Sequence, residues 1–307
     1  MAVAAGMAVL LLSGCVPAST NSGKSNVIAA SFYPVYIFTL NITDGIEELS
    51  VECMAEQSVG CLHDYTLTAK DAKLLNDADV LVTNGAGMES FVHDLSDTAT
   101  DVFLIDSSEG IETICDEDGH SHEEQDHNEA DPTHNHEHSE TAHIWMSVDN
   151  AKKQVSNIAD GLAKVYPGHK DAFLKNRDLY IERLNVLQGE ISEISLQIQD
   201  KPVITFHNAY DHLAQDMGFN IVTTIESDHG GEPSAKRLAE LSVTVKEQGV
   251  RALFTEPNYQ GSAATILSAE TGVEAYILNP VLDGENTKTA YEEIMRENID
   301  IILKAVK

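Results

Sequence analysis

Residues 169–198 read HKDAFLKNRDLYIERLNVLQGEISEISLQI. After Tyr166-Pro167-Gly168 there is no Pro or Gly until Gly189, and none again until Pro202. Leu184, Leu187, Ile191, Ile194 and Ile198 follow one another at intervals of 3, 4, 3 and 4, a single apolar stripe at helical spacing. The stretch therefore predicts one helix, about 45 Å long at roughly 1.5 Å per residue. Two shorter helices joined at Gly189 are the alternative reading.

On both sides of it, short β-rich runs alternate with helical patterns. The candidate strands are Val27–Ser31, Leu49–Met54, Val80–Thr83 and Val102–Ile105 before the helix. After it come Val203–Phe206, Ile221–Ile225, Ala252–Thr255 and Val273–Leu278. Runs of this length followed by helix-like segments are the signature of βα units around a parallel sheet. The expected fold class is α/β: two lobes, each with a mostly parallel four-stranded sheet and flanking helices, joined by a long rigid helix. The lobes run over 27–167 and 200–307, with the linker helix at 168–199. A stiff spine limits hinge closure and places a ligand site in the cleft between lobes. In parallel sheets such sites lie beyond the carboxyl ends of strands.

Of the 307 residues, 42% are hydrophobic and 22% charged, enough for a packed core. Asp and Glu number 50 against 19 Lys and Arg, a formal charge of −31. That field repels phosphate backbones, which excludes nucleic acid as a partner, and it favours cations. Residues 116–141 hold ten Asp or Glu, six His and no Lys or Arg. Without apolar periodicity this tract is expected to be a mobile loop. His120, His122, His127, His134, His136 and His138 alternate there with acids, a composition that binds metal weakly at several sites. Ordering such ligands costs entropy, so their affinity falls below that of a preformed cleft.

Residues 1–12, MAVAAGMAVLLL, form an apolar run too short to span a bilayer. It ends in Leu12-Ser13-Gly14-Cys15, which resembles a bacterial lipobox, with Cys15 the residue that takes a diacylglyceryl anchor. No Lys or Arg precedes Lys24, a departure from the basic start of such signals. Residues 16–26 are small and polar and read as a flexible tether. The remainder is expected outside the cytoplasm, held at the cell membrane by two acyl chains.

Three histidines stand apart from the tract. His63 lies in Gly60-Cys61-Leu62-His63-Asp64-Tyr65, ahead of a helix-like segment; His143 opens His143-Ile144-Trp145-Met146; His207 follows the strand Val203–Phe206. Neutral imidazoles are good ligands for a borderline cation such as Zn²⁺. A lone histidine at a strand end is more often a satisfied polar residue than a ligand, and spacing leaves that open.

The segments carrying these histidines are HDYTLTAKDAKLLNDADVLVTNGAGMESFV (63–92), HIWMSVDNAKK (143–153) and TFHNAYDHLAQDMGF (205–219). They resemble, in order, the three metal-ligand motifs of the zinc and manganese receptors of bacterial ABC importers, the ZnuA/TroA-like solute-binding proteins. Glu256-Pro257-Asn258-Tyr259 and Leu278-Asn279-Pro280 match as well. The resemblance covers the chain from about residue 27 onward together with the lipobox. It implies that His63, His143 and His207 hold a transported metal in the interlobe cleft. Three imidazoles suit Zn²⁺ better than Mn²⁺, which prefers oxygen. It also implies a membrane permease and a separate ATPase as partners, since no Walker motif occurs here. The receptor itself is expected to be a monomer, not an enzyme.

The fourth ligand departs from the family pattern, which offers a carboxylate in Asp-Pro-Leu-Gly or Asn-Pro-Leu-Glu. This chain reads Leu278-Asn279-Pro280-Val281-Leu282-Asp283-Gly284. Asp283 is the choice, with water, Glu285 and Asn279 as alternatives; Asn279 is a poor zinc ligand that shapes the turn. Asp64 and Glu256 are candidates to accept the imidazoles' other N–H. Asp64 read without the resemblance is a helix N-terminal acid or a solvated loop residue. Trp145 is read as a packing residue. Cys53 and Cys61, in a compartment that allows oxidation, are expected to form a disulfide bracing the segment before His63. His93, His169, His212 and His229 are expected to be surface or capping residues. The acidic tract is assigned capture or sensing of zinc, against a solvated insertion with incidental affinity. Two rivals remain in view: a zinc hydrolase, though no His-Glu-x-x-His or Gly-x-Ser-x-Gly occurs, and a manganese receptor, metal chaperone or adhesin of the same family.

Overall fold

The computed structural model describes residues 26–55, 65–90, 102–115, 140–225, 232–259 and 261–307. The amino-terminal lobe is built from β1 (Val27–Ala30), α1 (Tyr33–Ile42), β2 (Ser50–Cys53), α2 (Ala69–Asp77), β3 (Val80–Thr83) and β4 (Phe103–Asp106). Its four strands are parallel, in the order β2-β1-β3-β4. The central strand β3 is buried along its whole length, as a strand covered on both faces must be. A Thr68–Asp71 capping box starts α2.

Two two-residue strands, β5 (Ile114–Cys115) and β6 (Glu140–Thr141), then pair antiparallel. The last residues of the predicted loop are thus taken into a ladder. A 3₁₀ turn (Ile144–Met146) leads into α3 (Val148–Val165), whose amino end is capped by Ser147. After a second 3₁₀ turn (Pro167–His169) comes α4, Lys170–Ile198. It is one helix through Gly189, where an added side chain would meet nothing within 4 Å. Its buried face is Phe173, Tyr180, Leu184, Leu187, Ile191 and Ile198, with Ile194 half-buried, so the apolar stripe read from sequence is the side that packs.

The carboxy-terminal lobe comprises β7 (Pro202–Thr205), α5 (Asp211–Met217), β8 (Asn220–Thr224), α6 (Ala235–Glu247), β9 (Ala252–Thr255), α7 (Ala263–Thr271), β10 (Ala275–Ile277) and α8 (Ala290–Val306). Its sheet is again four parallel strands, in the order β10-β9-β7-β8. The expected two-lobe α/β plan is therefore the observed one. The predicted strands over Leu49–Met54 and Val273–Leu278 shorten to Ser50–Cys53 and Ala275–Ile277, although Met54 N still bonds Ala30 O at 2.8 Å and Leu278 N bonds Thr255 O at 2.9 Å beyond their ends. Among the described residues no helix is long and apolar enough to cross a membrane.

The lobes share one apolar core that runs from β1 to α8, with a smaller cluster around α6 and α7. Trp145 sits where they meet. Its Nε1 donates to Pro280 O at 2.8 Å, its own carbonyl accepts from Tyr291 Oη at 2.8 Å, and its ring meets Phe32 edge-on at 5.0 Å. Arg183 of α4 pairs with Glu292 of α8 at 2.9 Å, and Arg296 with Glu190 at 2.8 Å. A joint closed by shared core and buried hydrogen bonds resists rigid-body opening more than a polar seam would.

Candidate metal centre

In each sheet the chain reverses its direction of winding at one place: between β1 and β3 in the first lobe, between β7 and β9 in the second. Side chains beyond the carboxyl ends of those strands face a common crevice, the standard ligand position of parallel sheets. Ser31 and Asn84 follow β1 and β3; His207 and Glu256 follow β7 and β9.

His207 leaves β7 in extended conformation (φ −153°, ψ 148°) just before a 3₁₀ turn at Asn208–Tyr210. His143 arrives from β6 and sets the start of the turn Ile144–Met146, whose Met146 N–H bonds its carbonyl at 3.1 Å. The two rings are nearly perpendicular, with centroids 4.8 Å apart, and their Nε2 atoms lie 3.1 Å from each other. Two nitrogens bound to one tetrahedral zinc at about 2.0–2.1 Å stand roughly 3.3 Å apart. The pair is already close to that edge length. His143 is fully buried; His207 keeps about a fifth of its side chain exposed.

Glu256 Oε1 lies 3.9 Å from His207 Nε2, the same nitrogen that meets His143, and so stands on the metal-facing edge of the ring rather than at the other N–H it was expected to accept. Asp283 lines the same cleft wall as Glu256, Asn258 and Asn279. It sits in a turn organised by Asn279, whose Nδ2 donates to Asp283 O (3.1 Å) and Oδ1 (2.8 Å) and whose Oδ1 accepts from the Val281 (2.8 Å) and Leu282 (3.3 Å) amides. Val281 holds φ +60°, a conformation a β-branched residue rarely adopts, so the turn is over-determined by its surroundings. Glu285 accepts Tyr33 Oη through its backbone oxygen at 2.6 Å.

Among the described residues no three His, Cys, Asp or Glu side chains close a complete coordination set. His63 and Asp64 lie outside the described residues, as do Cys15, Cys61, His93, His229 and the six tract histidines His120, His122, His127, His134, His136 and His138. Cys53 is a free thiol whose Sγ donates to Ala55 O at 3.4 Å; its expected partner, Cys61, is not among the described residues.

Three residues matter here that sequence reasoning passed over, and a fourth that it misplaced. His212 is a correction. It was expected at the surface or in a cap, but it is buried on α5, with its Nδ1 3.3 Å from Asn150 Nδ2. Burial lowers its pKa from the ordinary imidazole value; a hydrogen bond to the Thr141 backbone opposes this and the neighbouring His143 adds a smaller lowering. Asp216, from the same helix, accepts from Ser147 Oγ (3.2 Å) and the Val148 amide (3.0 Å), tying α5 to the turn that carries His143. Glu89 and Asn84 form the third feature. The Glu89 carboxylate accepts from Ser31 Oγ (2.7 Å), Asn84 N (2.7 Å) and Gly85 N (3.0 Å). Gly85, Ala86 and Gly87 all have positive φ, which curls the backbone amides around that carboxylate. The signal in the sequence was the Asn84-Gly85-Ala86-Gly87 run, with a lone acid following it.

Burial raises the Glu89 carboxyl from its ordinary 4.5 to about 7, against the pull of its three hydrogen bonds and with a smaller push from Asp106. The folded chain thus holds this proton more tightly than the unfolded chain. The stabilisation is complete below about pH 4.5 and is lost as pH rises toward 7, with a limiting slope of about 1.4 kcal/mol per pH unit. Glu89→Gln should flatten this part of the stability profile in urea unfolding between pH 4.5 and 7. An unchanged slope would assign the titration to another group.

Comparison with known proteins places the same residues in context. The model of the family described as zinc-uptake complex component A, periplasmic, matches residues 28–305. The zinc-binding lipoprotein AdcA of Streptococcus pneumoniae (strain TIGR4) is 34% identical over 99% of this chain, which spans 59% of that protein. The chain thus covers less than two thirds of the AdcA proteins it matches. The high-affinity zinc uptake system protein ZnuA of Bacillus subtilis is 30% identical over 95% of this chain and 93% of its own length. The crystal structure of the Zn(II)-bound ZnuA-like domain of S. pneumoniae AdcA superposes with a TM-score of 0.73 at 30% identity, covering 91% of this chain and 98% of that one. A crystal structure of ZnuA at 24% identity gives a TM-score of 0.75 over 92% of this chain and 99% of that one, a likeness of fold.

Proposed function

Because the chain belongs to the ZnuA family of periplasmic zinc-uptake components, we propose that it captures Zn²⁺ in the interlobe cleft and hands it to a membrane permease driven by a separate ATPase. The observation that carries this reading is the approach of His143 and His207, whose Nε2 atoms lie 3.1 Å apart on nearly perpendicular rings. They come from opposite lobes, and His207 from beyond the carboxyl end of a strand at the sheet's switch point. His63 supplies the third nitrogen and Asp283 the fourth donor. Nitrogen-rich coordination favours Zn²⁺ over Mn²⁺. AdcA and ZnuA, the relatives above, carry zinc in their names. A hydrolytic role is set aside, because the family is one of transport receptors.

The shared core and the unbroken α4 argue for capture by rearrangement of the ligand-bearing loops rather than by a wide lobe hinge. Cys15 anchors the receptor to the outer face of the cell membrane through its lipid. The tract 116–141 collects zinc weakly and raises its concentration at the cleft.

Metal analysis by mass spectrometry, after purification without added metal, should find about one tightly held zinc per chain. Titration calorimetry of the full chain should then resolve one tight site and several weak ones, and deletion of 116–141 should remove only the weak ones. Absence of zinc would overturn the receptor reading. Loss of the tight site on deletion would overturn the division into tight and weak sites.

A further inference from the structure

A metal ligand must be aimed to within about half an ångström and 10–20° to be useful. On its amino-terminal side His143 has weak local support. It follows β6, half of a two-residue ladder, and short two-stranded ribbons are marginal on their own. The support comes from elsewhere. Asn84, at the carboxyl end of β3, donates Nδ2–H to Ala142 O at 3.0 Å, and that carbonyl belongs to the peptide bond leading into His143.

Asn84 is itself held on every side. Its Nδ2 also donates to Gly85 O (2.9 Å), and its Oδ1 accepts from Gln154 Nε2 (2.9 Å). Gln154 Nε2 also reaches Ser107 Oγ (2.9 Å), which donates to Asn84 O (3.1 Å). The Asn84 amide N–H is fixed by Glu89, and Glu89 by Ser31. The network therefore joins the ends of β1, β3 and β4 to α3, and all five members are buried. An Asn with both side-chain N–H groups and its oxygen engaged cannot turn without giving up bonds in a dry site, so its geometry is specified.

We propose that Asn84, braced by Glu89 and Gln154, is the positioning residue for His143: it transfers the rigidity of the first sheet to the imidazole that meets His207. The proposal rests on the reading of His143 as a zinc ligand and extends it to a residue that touches no metal.

The test is competition for Zn²⁺ alone against a fluorescent chelator, paired with the melting temperature of the zinc-free chain. Asn84→Ala should weaken zinc affinity about 10- to 100-fold, the range for groups that hold metal ligands in place. It should also shift the His143 ring signals in ¹⁵N-correlated spectra of the zinc-free chain. Val306→Ala, in the core at the far end of α8, serves as the control: an equal loss of melting temperature with wild-type zinc affinity. If Asn84→Ala does not fold, Gln154→Met is the decisive variant, with affinity expected to fall about tenfold. Wild-type affinity in the folded variant overturns the proposal, as does an equal affinity loss in Val306→Ala. His143→Ala separates the two levels. If it too binds zinc like wild type, the ligand reading itself fails. If it loses zinc while the Asn84 and Gln154 variants keep theirs, only the positioning role is lost.

Discussion

His207→Ala should bind zinc about 100- to 1,000-fold more weakly than the native chain. Structural zinc sites yield about 10–16 kcal/mol from about four ligands, or roughly 3 kcal/mol each, which is about two orders of magnitude in affinity. The loss should exceed this simple share, because His143 would then face the cleft without its partner ring at 4.8 Å. His207 is partly exposed and lies outside the helices, so the fold should survive, as circular dichroism would check. Competition against a chelator of known affinity gives the number. An affinity within threefold of native would remove His207 from the coordination set.

The second large effect concerns stability. Trp145→Ala should cost about 3–5 kcal/mol, the usual range for deleting a buried Trp or Phe side chain. The indole is fully buried against Phe32, and its Nε1 satisfies the Pro280 carbonyl. Truncation leaves a cavity and strands that carbonyl in the core. Trp145→Phe should cost less, about 1–3 kcal/mol, because the ring volume is largely kept and only the hydrogen bond is lost. Urea unfolding of both variants would separate the cavity from the bond. Equal costs would mean that the Pro280 contact, not the packing, joins the lobes.

The spine and the strands were legible because each obeys a period: 3 and 4 along 184–198, short β-rich runs bounded by turns elsewhere. Parallel pairing followed from the helices between them. His143 and His207 were visible as histidines at a loop and a strand end, but their 3.1 Å approach was not, since it joins positions 64 residues apart. The Asn84 network escaped for the same reason. Its members stand on four segments, each an ordinary polar residue until the fold makes them neighbours. His212 was misread because a helix carrying two acids looks solvated, whereas α5 turns that histidine toward α3. The turn at Asn279 announced itself by composition, yet nothing in it hinted that Val281 would sit at φ +60°.

The small ladder of β5 and β6 has a practical corollary. It pairs Ile114 with Thr141 and Cys115 with Glu140, so the stretch between leaves and rejoins the scaffold about 5 Å apart. Doubling its length adds only about 0.6 kcal/mol of closure entropy. The position is a natural graft point: a fluorescent reporter or a foreign peptide could be spliced in there without entering either four-stranded sheet.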